Sequence, residues 1–229
     1  SETRILRLSD NVPCALGEAG LVQVRGPRVF RGYVEDAHNK GVMDKDGWLT
    51  TGDVGYLDPD ERLILTGREK DLIVRSGHNI DPAEIEEALL RHDAVAFAGA
   101  IGQPDAHSGE VPCAYVELVG GANVTPDELM AFAEKHIHER AAFPKYIEIM
   151  DELPKTAVGK VFKPDLRKSA IKRIYNAALS DAMMEAEVVD VIDDKKMGLT
   201  ARVKKTGEID DMAITALLGK FTRPWVWAE

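Results

Sequence analysis

Cysteine is scarce: Cys14 and Cys113 are the only two in 229 residues, far apart and without CxxC spacing. That excludes a disulfide framework and a cysteine-based zinc site, and reduced thiols in a cytosolic protein are the expectation. No apolar run approaches the ~20 residues of a membrane span. The opening SETRILRLSD is charged where a signal peptide would be apolar. A cytoplasmic protein with no membrane span is expected. Positive charge is not in surplus either. The net charge is −10 and no basic stripe is clustered, which argues against a nucleic-acid binder. The six histidines are scattered. His136 and His138 stand two apart on an expected helix and so point to different faces. No metal site built from protein ligands alone is expected. Internal repeats, low-complexity linkers and a GxxxxGK(S/T) phosphate loop are all absent.

What is present is ordinary globular composition, 45% apolar and 30% charged, at a length that suits one large or two small domains. Residues 1–66 read as short strands with turns. Leu21–Val24 alternates until Gly26-Pro27, Val29–Tyr33 reads as a strand, and Trp48–Thr51 leads to a turn at Gly52-Asp53. Arg62–Thr66 is a further strand. This stretch has no expected helix of its own. It also has few large apolar residues for an independent core, so it is expected to pack on further protein.

The rhythm changes at Gly67–Leu89, GREKDLIVRSGHNIDPAEIEEAL. A charged cluster is followed by a short apolar run, a second glycine turn and a helix start. Asp81 suits the cap, Pro82 the first helical position and Glu84 the position three after the cap. Helices are then expected over 82–91, from Pro126 and over 163–184, the last with a stripe of Leu166, Ala170, Ile171, Ile174 and Ala178. Strands are expected over 95–101, 112–119 and 146–150. Beyond them a hairpin (187–191 with 199–203), a short helix (211–218) and a strand (225–227) are expected. The fold class is α+β: a β-rich segment, a small α+β domain and an α+β extension.

Three groups of residues can carry chemistry. Asp53, after Thr50-Thr51-Gly52, can accept hydrogen bonds from paired hydroxyls such as those of a ribose, although a turn aspartate ordinarily caps its own backbone. Arg68 can bind phosphate or ribose, or form a surface ion pair. The loop Leu153-Pro154-Lys155-Thr156-Ala157-Val158-Gly159-Lys160 can carry a lysine to an oxyanion or a phosphate.

Taken in order, the motifs are Gly17-Glu18-Ala19-Gly20, Phe30-Arg31-Gly32-Tyr33, Gly47–Asp53, Gly67–Asp71, Ser76–Ile80 and Pro154–Lys160. Their order and spacing resemble the adenylate-forming superfamily: acyl- and aryl-CoA synthetases, luciferases and the adenylation domains of peptide synthetases. The resemblance covers roughly residues 15–168 and is closest to acyl-CoA synthetases. It implies three parts: 1–67 as the end of a large N-terminal domain, 68–168 as the small C-terminal domain, and 169–229 as an extension of unassigned role.

The resemblance also implies roles. Asp53 holds the ribose hydroxyls, Arg68 contacts the nucleotide, and Lys70 is the hinge. Ser76, Gly77 and His78 line the path of coenzyme A, and Lys160 serves adenylation. ATP, coenzyme A and a carboxylic acid are the implied reactants. Mg2+ and the acyl pocket are implied to belong mainly to upstream protein, as is the rest of the large domain. Two other functions fit the same motifs. One is an adenylation domain that passes the acyl group to a carrier protein, and the other is a non-catalytic interaction module with this fold. A carrier-domain serine motif is absent from 169–229.

Overall fold

The computed structural model describes residues 1–228, apart from the side chains at positions 36 and 37. The chain divides into two compact units, Ser1–Leu72 and Ile73–Glu229. Among the described residues no helix is long and apolar enough to cross a membrane.

The first unit is a four-stranded antiparallel meander. Its strands are β1 (Glu2–Leu6), β2 (Gly20–Arg25), β3 (Leu49–Leu57) and β4 (Leu63–Arg68), in spatial order β1-β2-β3-β4. Burial is thin: Ile5, Leu6, Leu21, Val22, Trp48 and Val54 are its buried apolar residues, while Leu63, Ile64 and Leu65 of the edge strand are exposed. Two 3-10 turns, Asp36–Asn39 and Glu69–Asp71, are its helical elements. The strand expected at Val29–Tyr33 does not form. Val29 N–H closes a turn on Gly26, and the amide of Asn39 takes both the N–H and the carbonyl of Tyr33. A side chain has taken the place of a neighbouring strand there. Asp53 is not on a turn either: β3, Leu49–Leu57, continues through Gly52-Asp53 with a bulge there.

The second unit is layered. Strands β5 (Ile73–Arg75) and β6 (His78–Ile80) form a hairpin, followed by α1 (Pro82–Leu90), β7 (Val95–Asp105), β8 (Gly109–Leu118), α2 (Pro126–His136) and β9 (Tyr146–Met150). β7 pairs along almost all of β8. The opposite edge of β8 is shared by β5 at Gly109 and by β9 from Cys113 to Glu117. The N-termini of α1 and α2 are capped as their sequences require. Asp81 accepts from the Ala83 N–H, but Glu84 closes no capping box, its carboxylate accepting from the His138 and Glu139 N–H instead, whereas Thr125 with Glu128 forms a reciprocal capping box. His138 lies beyond the end of α2, so it shares no helix with His136.

Both faces of this sheet are covered, which explains the unbroken small-apolar run in β7. Ala98, Ala100, Ala114 and Val116 pack with Ile85, Leu89, Leu129 and Ala133 of α1 and α2. On the other face Ile101, Cys113 and Tyr115 pack with Leu166 and Ala170 of α3 (Lys163–Asp181). The approach is close at Gly99, where a Cβ would lie 2.8 Å from Leu166 Cδ1 and from Val161 Cγ1.

The C-terminal half of α3 leaves this sheet for another. Ile171, Tyr175 and Leu179 join β10 (Ala186–Asp194), β11 (Gly198–Lys205) and α4 (Asp211–Leu218) in a separate apolar cluster. β12 (Trp225–Trp227) pairs parallel to β11. The buried stripe of α3 therefore differs from the expected one. Tyr175 and Leu179 are buried, while Ile174 and Ala178 are only half-buried, because the helix changes partner along its length.

Candidate functional site

Asp53 and Arg68 face each other across β3 and β4. A bulge in β3 opposite Val22 brings this about: Leu21 pairs with Val54 but Gln23 pairs with Thr50, so residues 51–53 arch away from β2. The arch is held by Thr51, whose hydroxyl donates to the Val22 carbonyl and accepts from the Asp53 N–H. Arg68 Nε then lies 2.8 Å from Asp53 Oδ1. The pair is open to solvent, and Arg68 keeps further donors for a ligand. Lys70 sits in the 3-10 turn Glu69–Asp71, directly before the junction of the two units.

Ser76 and Gly77 form the two-residue turn of the β5–β6 hairpin. Both have positive φ, 50° and 82°, as a type I′ turn requires, and such a turn follows the twist of the strands it joins. A Cβ on Gly77 would meet nothing within 4 Å, so the glycine serves the backbone and leaves the surface open. His78 Nε2 lies 2.6 Å from Glu139 Oε1. Beside the hairpin is a cleft of about 540 Å³ lined by Arg75, Glu134, Arg140, Ala141, Phe143 and Lys145. Arg75 is fixed there by donating to the Ala141 carbonyl at 2.8 Å. Sequence reasoning missed this cleft, because its three cations come from separate segments, β5, the Arg140–Ala142 turn and the residue before β9.

Lys160 lies on a tight loop closed by Thr156 N–H to Lys160 O (2.7 Å) and Gly159 N–H to Thr156 O (2.8 Å). The neighbouring lysines are engaged. Lys155 pairs with Glu117 and lies 4.3 Å from the centre of the Phe97 ring, and Lys163 pairs with Glu86 at 2.9 Å. Lys160 is exposed and its ammonium has no carboxylate partner among the described residues. Glu117 is held below the ordinary carboxylate range, first by the Lys155 hydrogen bond and then by the Leu153 N–H. Burial pushes the Cys113 thiol up to about 12, so this cysteine is inert packing under α3.

The Gly77 turn and the Lys160 loop are not together. The hairpin joins β8 at Gly109 and the lysine loop is tied to β8 at Glu117. Eight strand residues separate these points, or about 26 Å at the usual rise. Among the described residues no group of three or more His, Cys, Asp or Glu could hold a metal ion.

The profile of the AMP-binding enzyme C-terminal domain matches residues 84–160. The chain is 43% identical over 202 residues to marinolic acid–CoA ligase of Pseudoalteromonas sp. (strain SANK 73390), which covers 85% of the chain and 31% of that protein. The chain carries the C-terminal domain of the adenylate-forming enzymes. A 2-succinylbenzoate–CoA ligase of Geobacillus sp. (strain WCH70) is 42% identical over 164 residues, 71% of the chain and 32% of the relative. ATP-bound MatB from Rhodopseudomonas palustris superposes with a TM-score of 0.67 at 30% identity over 72% of the chain and 33% of that structure. MenE from Bacillus subtilis, in complex with the acyl-adenylate intermediate OSB-AMP, gives 0.65 at 36% identity over 72% of the chain and 33% of that structure. The chain spans under a third of the length of these curated relatives. At 85% coverage, the likeness of the chain to the marinolic acid–CoA ligase runs past residue 168 into the extension.

Proposed function

We propose that this chain is the C-terminal part of an ATP-dependent, AMP-forming ligase that activates a carboxylic acid as its adenylate and passes it to coenzyme A. The observation that carries the reading is the separation of two features on one sheet. A lysine without a carboxylate partner stands at one end of β8, and an open glycine turn beside a cationic cleft stands at the other.

In the first half-reaction the carboxylate attacks the α-phosphate of ATP and pyrophosphate leaves. Lys160 neutralises the charge gathered on the carboxylate and phosphate oxygens. Asp53 and Arg68 hold the nucleotide. In the second, the thiol attacks the adenylate carbonyl, the carbonyl–phosphate bond breaks and AMP leaves. Lys160 would block this attack if it stayed in place. Rotation about Lys70 withdraws it and brings the Ser76–His78 turn to the adenylate, a gating step of the lid-and-hinge kind. The cations Arg75, Arg140 and Lys145 suit the phosphates of coenzyme A.

The test is Lys160→Ala in an enzyme that contains this chain. Carboxylate-dependent ATP–pyrophosphate exchange should fall about 100-fold or more, while thiolation of a supplied acyl-adenylate stays near wild type. Equal loss of both half-reactions would refute the assignment. A carrier protein in place of coenzyme A is the second reading, and competition between the two for the Gly77 turn separates them.

A further inference from the structure

The hairpin that carries Ser76–His78 makes few main-chain hydrogen bonds to its sheet: β5 pairs with β8 at one position, Arg75 opposite Gly109, where Ser76 N–H donates to Ser108 O at 2.8 Å. The next amide along, Val74 N–H, finds no main-chain partner on β8. It donates instead to a side chain, Glu110 Oε2, at 3.2 Å. Glu110 substitutes for the missing rung of the ladder. Its other oxygen accepts from Arg223 Nη2 at 2.8 Å. The Glu110 side chain is 13% exposed and that of Arg223 36%, so the carboxylate end of the pair is sheltered and the guanidinium end is open to solvent.

Arg223 belongs to the extension, just before β12. It is anchored from the far side by Tyr175, fully buried on α3, whose hydroxyl donates to the Arg223 carbonyl at 2.6 Å. A Cβ at Gly109 would lie 3.7 Å from both Thr222 Cγ2 and the Val74 carbonyl oxygen, so the extension reaches the point where β5 meets β8. A continuous link thus runs from the core of the extension through Tyr175, Arg223 and Glu110 to the strand that ends at the Gly77 turn.

We propose that Arg223 is a positioning residue for the 73–80 hairpin, and that the extension thereby sets the affinity for the thiol substrate. The functional half of this rests on the reading of the Gly77 turn given above. Without Arg223, Glu110 is a poorly solvated carboxylate with one long hydrogen bond left. It gains by swinging toward water, and Val74 loses its only partner.

The experiment has two arms. In this chain, amide exchange over residues 74–79 is measured for wild type, Arg223→Ala, Arg223→Lys, Glu110→Ala and the Arg223→Ala/Glu110→Ala double variant. Arg202→Ala, which breaks an extension ion pair to Asp190, is the control. Arg223→Ala and Glu110→Ala should each raise exchange about tenfold, the double variant no further, with Arg223→Lys and the control near wild type. Unchanged exchange in Arg223→Ala overturns the proposal outright. Exchange raised equally in β10 and β11 would mean that the extension has unfolded, and Glu110→Ala then decides the link without touching the extension.

In the second arm, an enzyme containing the chain should show KM for coenzyme A raised about tenfold by Arg223→Ala, with ATP–pyrophosphate exchange unaltered and rescue by Arg223→Lys. A loosened hairpin with unchanged KM overturns the functional half. Gly77→Val keeps the two failures apart. If it too leaves coenzyme A kinetics unchanged, the reading of the turn is wrong; if it alone is impaired, the reading stands and the role of Arg223 falls.

Discussion

Lys155, Lys160 and Lys163 look alike in the sequence, yet their ammonium groups have different surroundings. Two are tied to Glu117 and Glu86, and the third has no carboxylate partner among the described residues. The order of motifs points to Lys160, but the reason is tertiary: the carboxylates that occupy its neighbours come from β8 and α1, about 40 and 80 residues upstream in the sense of long-range pairing. The Lys155–Glu117 pair predicts a pH dependence. The folded Glu117 carboxyl has a pKa below its ordinary 4.5. Its contribution to stability is therefore complete above 4.5 and is lost as the pH falls through the lower folded value. Glu117→Gln should be less stable than wild type at neutral pH and should lose less stability on acidification below 4.5. Urea unfolding across that range reads the difference, and parallel acid limbs for the two proteins would contradict it. Asp53 shows the opposite limit of sequence reading. Its identity as a candidate was legible from Thr51-Gly52-Asp53, but its place was not, since the glycine suggested a turn and the strand instead arches at a bulge.

Most elements were legible in the sequence, but a change of partner along one of them was not. The capping residues of α1 and α2 and the 211–218 helix follow from local chemistry and sit where the sequence puts them. The helix α3 also forms over the expected stretch, but its buried stripe was not legible, because no periodicity reports a change of partner midway. Leu166 and Ala170 face the β7–β8 sheet, while Ile171, Tyr175 and Leu179 face β10 and β11. One rigid rod of 19 residues thus joins two cores. Leu179→Ala removes a 1% exposed side chain and should cost roughly 2–5 kcal/mol. Because the rod is shared, protection from amide exchange should fall in β7 and β8 as well as in β10 and β11. Loss confined to β10–β12 would show that the extension is an independent appendage.

At the scale of the molecule, the two units differ in self-sufficiency. The apolar clusters all lie within Ile73–Glu229, and Ser1–Leu72 contributes none of their buried residues. Scarcity of large apolar side chains made this legible in sequence; the second cluster, formed by the extension on α3, was not, because its members are spread over 171–227. The chemistry is divided unevenly as well. Lys160, the Gly77 turn and the cationic cleft belong to the second unit, and Asp53 with Arg68 to the first. The sequence has no GxxxxGK(S/T) loop, and among the described residues no group of three or more His, Cys, Asp or Glu could hold a metal ion. The cations offered to a triphosphate here, the Arg68 guanidinium paired with Asp53 and the Lys160 ammonium, are too few to stabilise a pentacoordinate phosphorus. We therefore expect the 229-residue chain to give no carboxylate-dependent ATP–pyrophosphate exchange above background, yet to bind coenzyme A in a manner abolished by charge reversal at Arg140. Clear turnover by the chain alone would mean that adenylation needs far less of the enzyme than the proposed division of labour assigns to it.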